Sequence, residues 1–288
     1  MWPQFAGDLP AHLAGLVAAV RPTDVLVVAG GGAGARAAAA APLELLLIGP
    51  GPGAPGGAAA DVAGSGRGEF ALASGERARV RFVPSARLTS LAQAPRRTVL
   101  AFDVPSMGAE LPPLPYRDRL LLHELRTGVV LAGATQAQVL RETLCLDRLP
   151  EVLAALHLRR VTDRHHELVS LLAAGDTAAA AWVLRELATQ LLPAVLAAAG
   201  ESDPCRWRQP GLLAAARDRI GAPRAAVLGR LLAAGTDTTA ASKITAALEQ
   251  AQALAAWVRE RLPAVTALAP PPPVPRQAPG PVPATHAA

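Results

Sequence analysis

Asp24-Val-Leu-Val-Val-Ala-Gly-Gly-Gly-Ala-Gly-Ala-Arg36, with Leu43-Glu-Leu-Leu-Leu-Ile48 after it, is the stretch that decides the fold of this chain. An apolar run leads into glycines, a few small residues follow, and a second apolar run comes next. Short apolar runs bounded by Gly and Pro are typical of buried strands. Because glycine lets backbone N–H groups approach an anion closely, this order predicts a phosphate-binding turn between two buried strands.

The rest of the N-terminal part adds further elements to a small mixed sheet. Ser74-Gly75-Glu76 separates two alternating segments and predicts a β-hairpin. The stretch from 49 to 68 is rich in Gly, Pro and Ala, which is typical of a loop. The patterns predict one helix and three more strands, at Pro10–Val20, Glu69–Ala73, Arg77–Val83 and Val99–Val104.

From Tyr116 onward the apolar residues repeat with a helical period, and alanine and leucine, which favour helices, are abundant. The sequence therefore predicts an α+β protein in three parts. A small mixed-sheet α/β domain covers residues 1–108, and an α-helical bundle covers 109–265. The proline-rich segment 266–288 has too few apolar residues to pack and is expected to be disordered.

Composition limits the classes of partner. The net charge is only +5, Lys243 is the single lysine, the arginines are dispersed, and one tyrosine offers few stacking platforms. Nucleic-acid binding is therefore not expected. The N-terminus lacks the basic and apolar regions of a signal peptide, and the uncharged run from 187 to 200 is short and holds Pro193. We expect a soluble cytoplasmic protein with two free cysteines and no membrane partner.

One interpretation of the glycine run is a dinucleotide fingerprint, since Gly30, Gly32 and Ala35 fit G-x-G-x-x-A after a strand. That fingerprint also needs a full crossover helix and an acid after the second strand. Here the helix has room only from 33 to 41, and Asp61 is the first acid after the second strand. These two departures favour another template.

The order of strand, Gly-Gly, short helix and apolar strand after a proline resembles the nucleotidyltransferase superfamily, which includes polymerase-beta-like and antibiotic-modifying enzymes. The helical half resembles bacterial members of that superfamily at Arg119–Gly133, from Gly175 to Glu201, and at Arg206-Trp207. The resemblance covers most of residues 10–235, on motifs of moderate to low specificity. It implies transfer of a nucleoside monophosphate from a nucleoside triphosphate, such as ATP, to a small molecule or protein, with Mg²⁺ as cofactor.

The resemblance also assigns roles to particular residues. In this hypothesis Arg36 helps to neutralise the triphosphate, and Glu44 is the catalytic carboxylate and the sole metal ligand. The backbone of the glycine run is expected to cradle the phosphates, at Gly30, Gly31, Gly32 and Gly34.

The catalytic acids of the superfamily are largely missing from this chain. Its paired aspartates align with Leu43 and Leu45, and its third carboxylate aligns within 78–81, where no acid stands. Two magnesium ions need several carboxylate oxygens, which one glutamate does not supply. No spacing singles out a substitute among Glu69, Glu76 and Asp103. A non-catalytic descendant that binds a nucleotide or a protein partner is therefore an equal alternative.

A third hypothesis is a metal-independent ribonuclease. Arg160 and His165 resemble the Arg-x4-His motif of helical HEPN ribonucleases, in which, by resemblance, the arginine steadies the phosphate and the histidine moves a proton. Neighbouring Asp163, His166 and Glu167 have a spacing that suits a metal, but a solvated polar helix face is the favoured interpretation.

Two further positions allow both a structural and a functional interpretation. Arg206-Trp207-Arg208 could stack on a purine or clamp a phosphate, although a tryptophan that anchors the bundle is the simpler interpretation. His123 lies among leucines and is expected to be a hydrogen-bonded core histidine.

Overall fold

The computed structural model of the chain describes residues 17–18, 20–29, 43–50, 67–71, 77–103, 111–233 and 240–268. For residues 67–71, 77 and 267 it describes the backbone alone. Most of the predicted first helix, the loop that follows residue 50 and the proline-rich tail from residue 269 onward lie outside these ranges.

Five strands form one mixed sheet, in the order β3-β4-β2-β1-β5. The β1–β2, β1–β5 and β3–β4 pairs are antiparallel, whereas β2 and β4 are parallel. The strands are β1 (Val25–Val28), β2 (Leu43–Gly49), β3 (Arg67–Ala71), β4 (Arg77–Pro84) and β5 (Val129–Ala132). The mixed sheet, its two central strands and the hairpin of β3 and β4 are as the sequence predicts.

Strand β5 comes from the part of the chain that the sequence assigns to the bundle. It follows helix α2 (Tyr116–Thr127) directly and pairs with β1 at the end of the sheet order. Gly128, between the two, lies against the β1 backbone, where an added Cβ would be 2.7 Å from the Val28 carbonyl oxygen. The sheet is therefore completed by residues beyond position 108.

The two faces of the sheet bury different sets of side chains, because successive residues of a strand point to opposite sides. Val25, Val27, Leu46 and Ile48 belong to the large core that they share with the helices. The opposite face buries a smaller cluster, with Leu26, Leu45, Leu47, Ala78 and Val80 at its centre.

The strand predicted at Val99–Val104 is wrong. Residues 99–103 form the last turns of α1 (Ser85–Asp103), and Val104 lies outside the described residues. A short apolar run does not distinguish a strand from a buried helix segment by its period alone. The run continues a longer stripe of buried residues on one face of α1, which determines the structure. The buried residues of this stripe are Leu88, Leu91, Ala92, Pro95, Thr98 and Phe102.

The further helices are α3 (Ala134–Thr143), α4 (Leu149–Ala173), α5 (Thr177–Ala198), α6 (Gln209–Ala215), α7 (Arg217–Ile220), α8 (Ala222–Ala233) and α9 (Ala241–Arg261). The helical part is built around α4 and α5, which pack along each other, and α9 lies against α5. Short 3₁₀ turns lie at Leu146–Arg148, Arg206–Arg208 and Pro263–Ala267. The α+β class is therefore confirmed: a small mixed sheet with a helical region after it.

Within the described residues, α5 is the one helix long and apolar enough to cross a membrane by length and composition. It is a core helix instead, since 56% of its most apolar window is buried inside the protein. Leu184, Leu187, Leu191 and Val195 form its buried stripe, in keeping with the helical period of the apolar residues from Tyr116 onward.

Candidate functional site

Glu44 lies near the start of β2 with its side chain 46% exposed. It faces Arg79 on the parallel neighbour β4, and Arg79 Nη1 donates a hydrogen bond of 3.1 Å to Glu44 Oε1. Leu45, next to Glu44, is fully buried on the opposite face of the sheet. The carboxylate singled out from the sequence is therefore held in an ion pair with an arginine.

A second ion pair lies beside the first. Arg81, two residues along β4, donates a hydrogen bond to Glu124 Oε2 on α2. Burial raises the pKa of Glu124, and the charge of Arg81 and its hydrogen bond act in the opposite direction. The positions where the superfamily has its third carboxylate thus supply two guanidinium groups to this sheet face.

No group of three or more His, Cys, Asp and Glu side chains in the described part of the chain is placed to hold a metal ion. Asp103, one of the possible substitutes, pairs with Arg148 at 3.0 Å. The Glu69 side chain and all of Glu76 lie outside what the structure describes. Among described residues, Glu44 is thus the one acid that the resemblance offers for Mg²⁺, and Arg79 neutralises it.

The predicted phosphate-binding residues, which are Gly30, Gly31, Gly32, Gly34 and Arg36, lie outside the described residues. The two ends of the connection that holds them are adjacent. Ala29 N donates a hydrogen bond of 2.9 Å to Glu44 O, in continuation of the antiparallel pairing of β1 and β2. The connection therefore leaves and rejoins the sheet at neighbouring strands.

Arg160 and His165, the two residues of the ribonuclease hypothesis, lie in different surroundings. Five positions along an α-helix correspond to a rotation of about 140° between side chains. Arg160 lines a cavity, whereas His165 is buried and its Nε2 lies 2.7 Å from Gln252 Nε2 on α9.

The polar face next to them is an ion-pair network, the favoured interpretation from the sequence. Asp163 lies 3.9 Å from Arg159, and Arg164 pairs with Glu167 and with Glu186 of α5. All of these side chains are 40% exposed or more.

His123 is a buried histidine, as expected. Its Nδ1 lies 2.9 Å from Ser202 Oγ, and Asp203 Oδ2 is 3.9 Å from its Nε2. Burial lowers the pKa of His123, which is consistent with a neutral ring that joins α2 to the loop after α5.

A cavity of about 330 Å³ lies in the helical part. Its charged side chains are three arginines: Arg119 on α2, Arg160 on α4 and Arg206 on the 3₁₀ turn. The other lining residues are Tyr116, His157, Thr189, Gln190, Pro193, Pro204, Trp207 and Gln209. Of this set the sequence singled out Arg160, Arg206 and Trp207.

His157 sits at the wall of the cavity between two fixed partners. Arg119 Nη1 lies 3.2 Å from its Nε2, and Gln190 Oε1 lies 3.2 Å from its Nδ1. Arginine is only a donor, so Nε2 accepts and Nδ1–H donates to the Gln190 oxygen. Burial, with Arg119 as the next cause, lowers the pKa of His157 to about 3, and the ring is neutral at pH 7.

Arg119 keeps one donor without a partner. Its Nε is buried and makes no hydrogen bond to the described residues. Burial lowers the pKa of Arg119, and the charges of Arg160 and Arg206 lower it further. The cavity therefore gathers three arginines and no acid in its wall, which is the chemistry of an oxyanion site.

Neither protein-family models nor curated proteins give a match to this sequence. The two candidate sites are therefore the sheet face at Glu44 and the cavity of the helical part. No pattern in the sequence links Arg119 with His157, which lie on different helices and meet only in the fold.

Proposed function

We propose that this chain is a nucleotide-binding protein of nucleotidyltransferase-like organisation that does not carry out two-metal nucleotidyl transfer. The observation that carries the proposal is the Glu44–Arg79 ion pair at 3.1 Å. The one acid available for Mg²⁺ by resemblance is paired with an arginine, and Leu43 and Leu45 flank it. Loss of the other acids removes the oxygens that two magnesium ions need.

Support for nucleotide binding comes from the glycine run and from the strands around it. Strands β1 and β2 are neighbours, as the resemblance implies, and the run connects them. Backbone N–H groups of a glycine-rich turn bind phosphate without any carboxylate or metal. Binding in this hypothesis therefore survives the loss of the catalytic acids.

The test separates binding from turnover. Purified protein is titrated with ATP, with and without Mg²⁺, and pyrophosphate release is measured in the same samples. We expect saturable ATP binding that needs no Mg²⁺, and no release above a protein-free control. Gly32→Asp places a carboxylate where the phosphates are proposed to bind, and we expect it to weaken ATP binding at least tenfold by charge repulsion.

Gly229→Asp is the matched control, because an added Cβ at Gly229 on α8 meets no atom within 4 Å. We expect it to bind ATP like the natural protein. Pyrophosphate release that Glu44→Ala abolishes would establish metal-dependent transfer instead. RNA cleavage that resists a chelator and is lost in His165→Ala would support the ribonuclease hypothesis, and absence of ATP binding would refute nucleotide binding.

A further inference from the structure

The arginine-lined cavity differs from the other charged places of the protein because no acid lines it. Three guanidinium groups come from three separate elements, and their only other polar neighbours in the wall are uncharged. The volume of about 330 Å³ is within the range of pockets that bind small molecules.

The charges of this cavity are not compensated within the described chain. Several described arginines elsewhere have an acidic partner, such as Arg148 with Glu151 and Arg219 with Glu201. Arg160 and Arg206, in contrast, form no ion pair with a described residue, and both are exposed residues that line the cavity. Like charges brought together without a counter-charge favour the binding of an anion.

Asp203, three residues before Arg206, already has other partners. Asp203 Oδ1 accepts a hydrogen bond of 2.9 Å from the Cys205 backbone N–H, and its Oδ2 lies 3.3 Å from Arg208 Nη1. Arg208 does not line the cavity. Asp203 therefore holds the loop before the 3₁₀ turn and leaves Arg206 without a counter-charge.

His157 is neutral and therefore does not change the net positive charge of the cavity. Its ring accepts from Arg119 and donates to Gln190, so it fixes the Arg119 guanidinium without adding a charge. The remaining donor of Arg119, its Nε–H, is buried and unpaired among the described residues. An unmade hydrogen bond of this kind is costly, because the buried N–H has lost its bonds to water.

The rim of the cavity carries an aromatic platform. Trp207 is 75% exposed although it has the largest apolar side chain, and Tyr116, which is 37% exposed, lines the same cavity. A planar ring stacks on an exposed indole with a gain that does not depend on sequence or metal. The cavity thus combines an anion site with a stacking surface.

We propose that this cavity binds a phosphate ester of mononucleotide size, with the phosphate between Arg119, Arg160 and Arg206 and a planar ring stacked on Trp207. Arginine is suited to this task because its planar fork donates two parallel hydrogen bonds to a phosphate. The inference goes beyond the proposed function, since every lining residue belongs to the helical part and none to the sheet.

Isothermal titration of the full chain in chelator-containing buffer tests the proposal, with AMP, ribose 5-phosphate and adenosine as probes. We expect AMP to bind about tenfold more tightly than ribose 5-phosphate, because stacking adds to its affinity. Adenosine, which lacks the phosphate, should bind at least tenfold more weakly than AMP. Trp207→Ala should reduce the AMP affinity to that of ribose 5-phosphate.

Arg160→Gln and Arg159→Gln form a matched pair, since both side chains are exposed on α4 and only Arg160 lines the cavity. Arg160→Gln should weaken AMP binding at least tenfold, and Arg159→Gln should change it less than twofold. Circular dichroism confirms that each variant is folded. Equal effects of the two substitutions, or adenosine binding as tightly as AMP, would overturn the proposal.

The outcome also distinguishes this cavity from the glycine run. AMP binding that Gly32→Asp abolishes and Arg160→Gln leaves intact would refute the cavity proposal and support the proposed function. AMP binding with the opposite sensitivities would support the cavity alone. No AMP binding at millimolar concentration would also refute the cavity proposal.

Discussion

His157 is held as a neutral ring, and this makes the stability of the protein depend on mild acidity. In the folded chain its pKa is about 3, because the ring is buried and lies beside Arg119. In the unfolded chain its pKa is about 6.5. Between these two pKa values the unfolded state binds a proton at His157 and the folded state does not, so the stability of the protein falls as the pH falls.

His157→Gln tests this dependence with a side chain that stays neutral at every pH. In the natural protein, neutral His157 contributes fully to the free energy of unfolding above pH 6.5. This contribution is lost as the pH falls toward 3, by up to about 1.4 kcal/mol for each pH unit. We expect urea unfolding at pH 7 and pH 5 to give a smaller loss of stability for the variant. His123 and His165 titrate in both proteins, so the difference isolates His157. Equal losses would contradict the prediction.

Gly133 is a second residue whose identity has a specific physical cause. It has a φ of +76° just before α3, and an added Cβ would lie 2.2 Å from the Asp24 carbonyl oxygen. Gly175 has a φ of +77° but open space around it. The first position therefore combines backbone strain with a close approach to the start of β1, and the second has the strain alone.

Gly133→Ala and Gly175→Ala separate these two causes. We expect Gly175→Ala to reduce the free energy of unfolding by about 1 kcal/mol, the usual cost of a left-handed alanine. Gly133→Ala should cost more than about 2 kcal/mol, because the backbone of β1 has to shift. Chemical denaturation measures both values. Similar losses would mean that the approach to Asp24 is unimportant.

Helix α2 is the element that connects the two candidate sites. Arg119 near its start lines the cavity, and Glu124 five residues later pairs with Arg81 on the sheet. Glu124 is 16% exposed and Arg81 is 29% exposed, whereas the Glu44–Arg79 pair is more than 40% exposed at both side chains. The first pair should matter far more for stability than the second, because an exposed ion pair contributes little.

A pair of double-mutant cycles checks this difference. Arg81→Leu leaves the Glu124 carboxylate buried without its partner, and we expect a loss of about 3 kcal/mol. The double variant Arg81→Leu and Glu124→Leu should lose less than the sum of the two single variants. The same cycle on Arg79 and Glu44 is the control and should show a coupling below about 1 kcal/mol. Equal coupling energies in the two cycles would show that the burial of an ion pair does not determine its contribution to stability.

At the scale of the whole molecule, the sheet and the helices share one hydrophobic core. Val27 and Leu46 from the sheet belong to the same buried cluster as Leu122 of α2 and Leu187 of α5. Strand β5 strengthens this union, since it lies in the sheet and is joined directly to α2. A core shared in this way is expected to unfold as one cooperative unit.

Native-state hydrogen exchange measured by mass spectrometry tests this cooperativity. Peptides from β2 and from α5 should report the same opening free energy, within about 1 kcal/mol, because both open only when the shared core is lost. Substitution of Leu46 by Ala should lower both values together. A markedly lower opening energy confined to β1 and β2 would show that the sheet unfolds separately from the helices.

The sequence alone determined those elements that local patterns specify. The apolar runs of β1 and β2, the antiparallel pair of β3 and β4 and the helical period of α5 could all be predicted, because a strand or helix buries residues at its own period. The scarcity of acids on β2 and β4 was visible there too. Val99–Val104 failed because that run is too short for its period to identify it.

Only the tertiary structure decided which distant residues meet. Strand register brings Arg79 to Glu44, and the packing of α2, α4 and the turn after α5 gathers Arg119, Arg160 and Arg206 around one cavity. The pairing of β5 with β1 is likewise a contact between distant parts of the chain. Contacts between residues far apart in the chain depend on how buried faces fit together, and a local pattern contains no information about that fit.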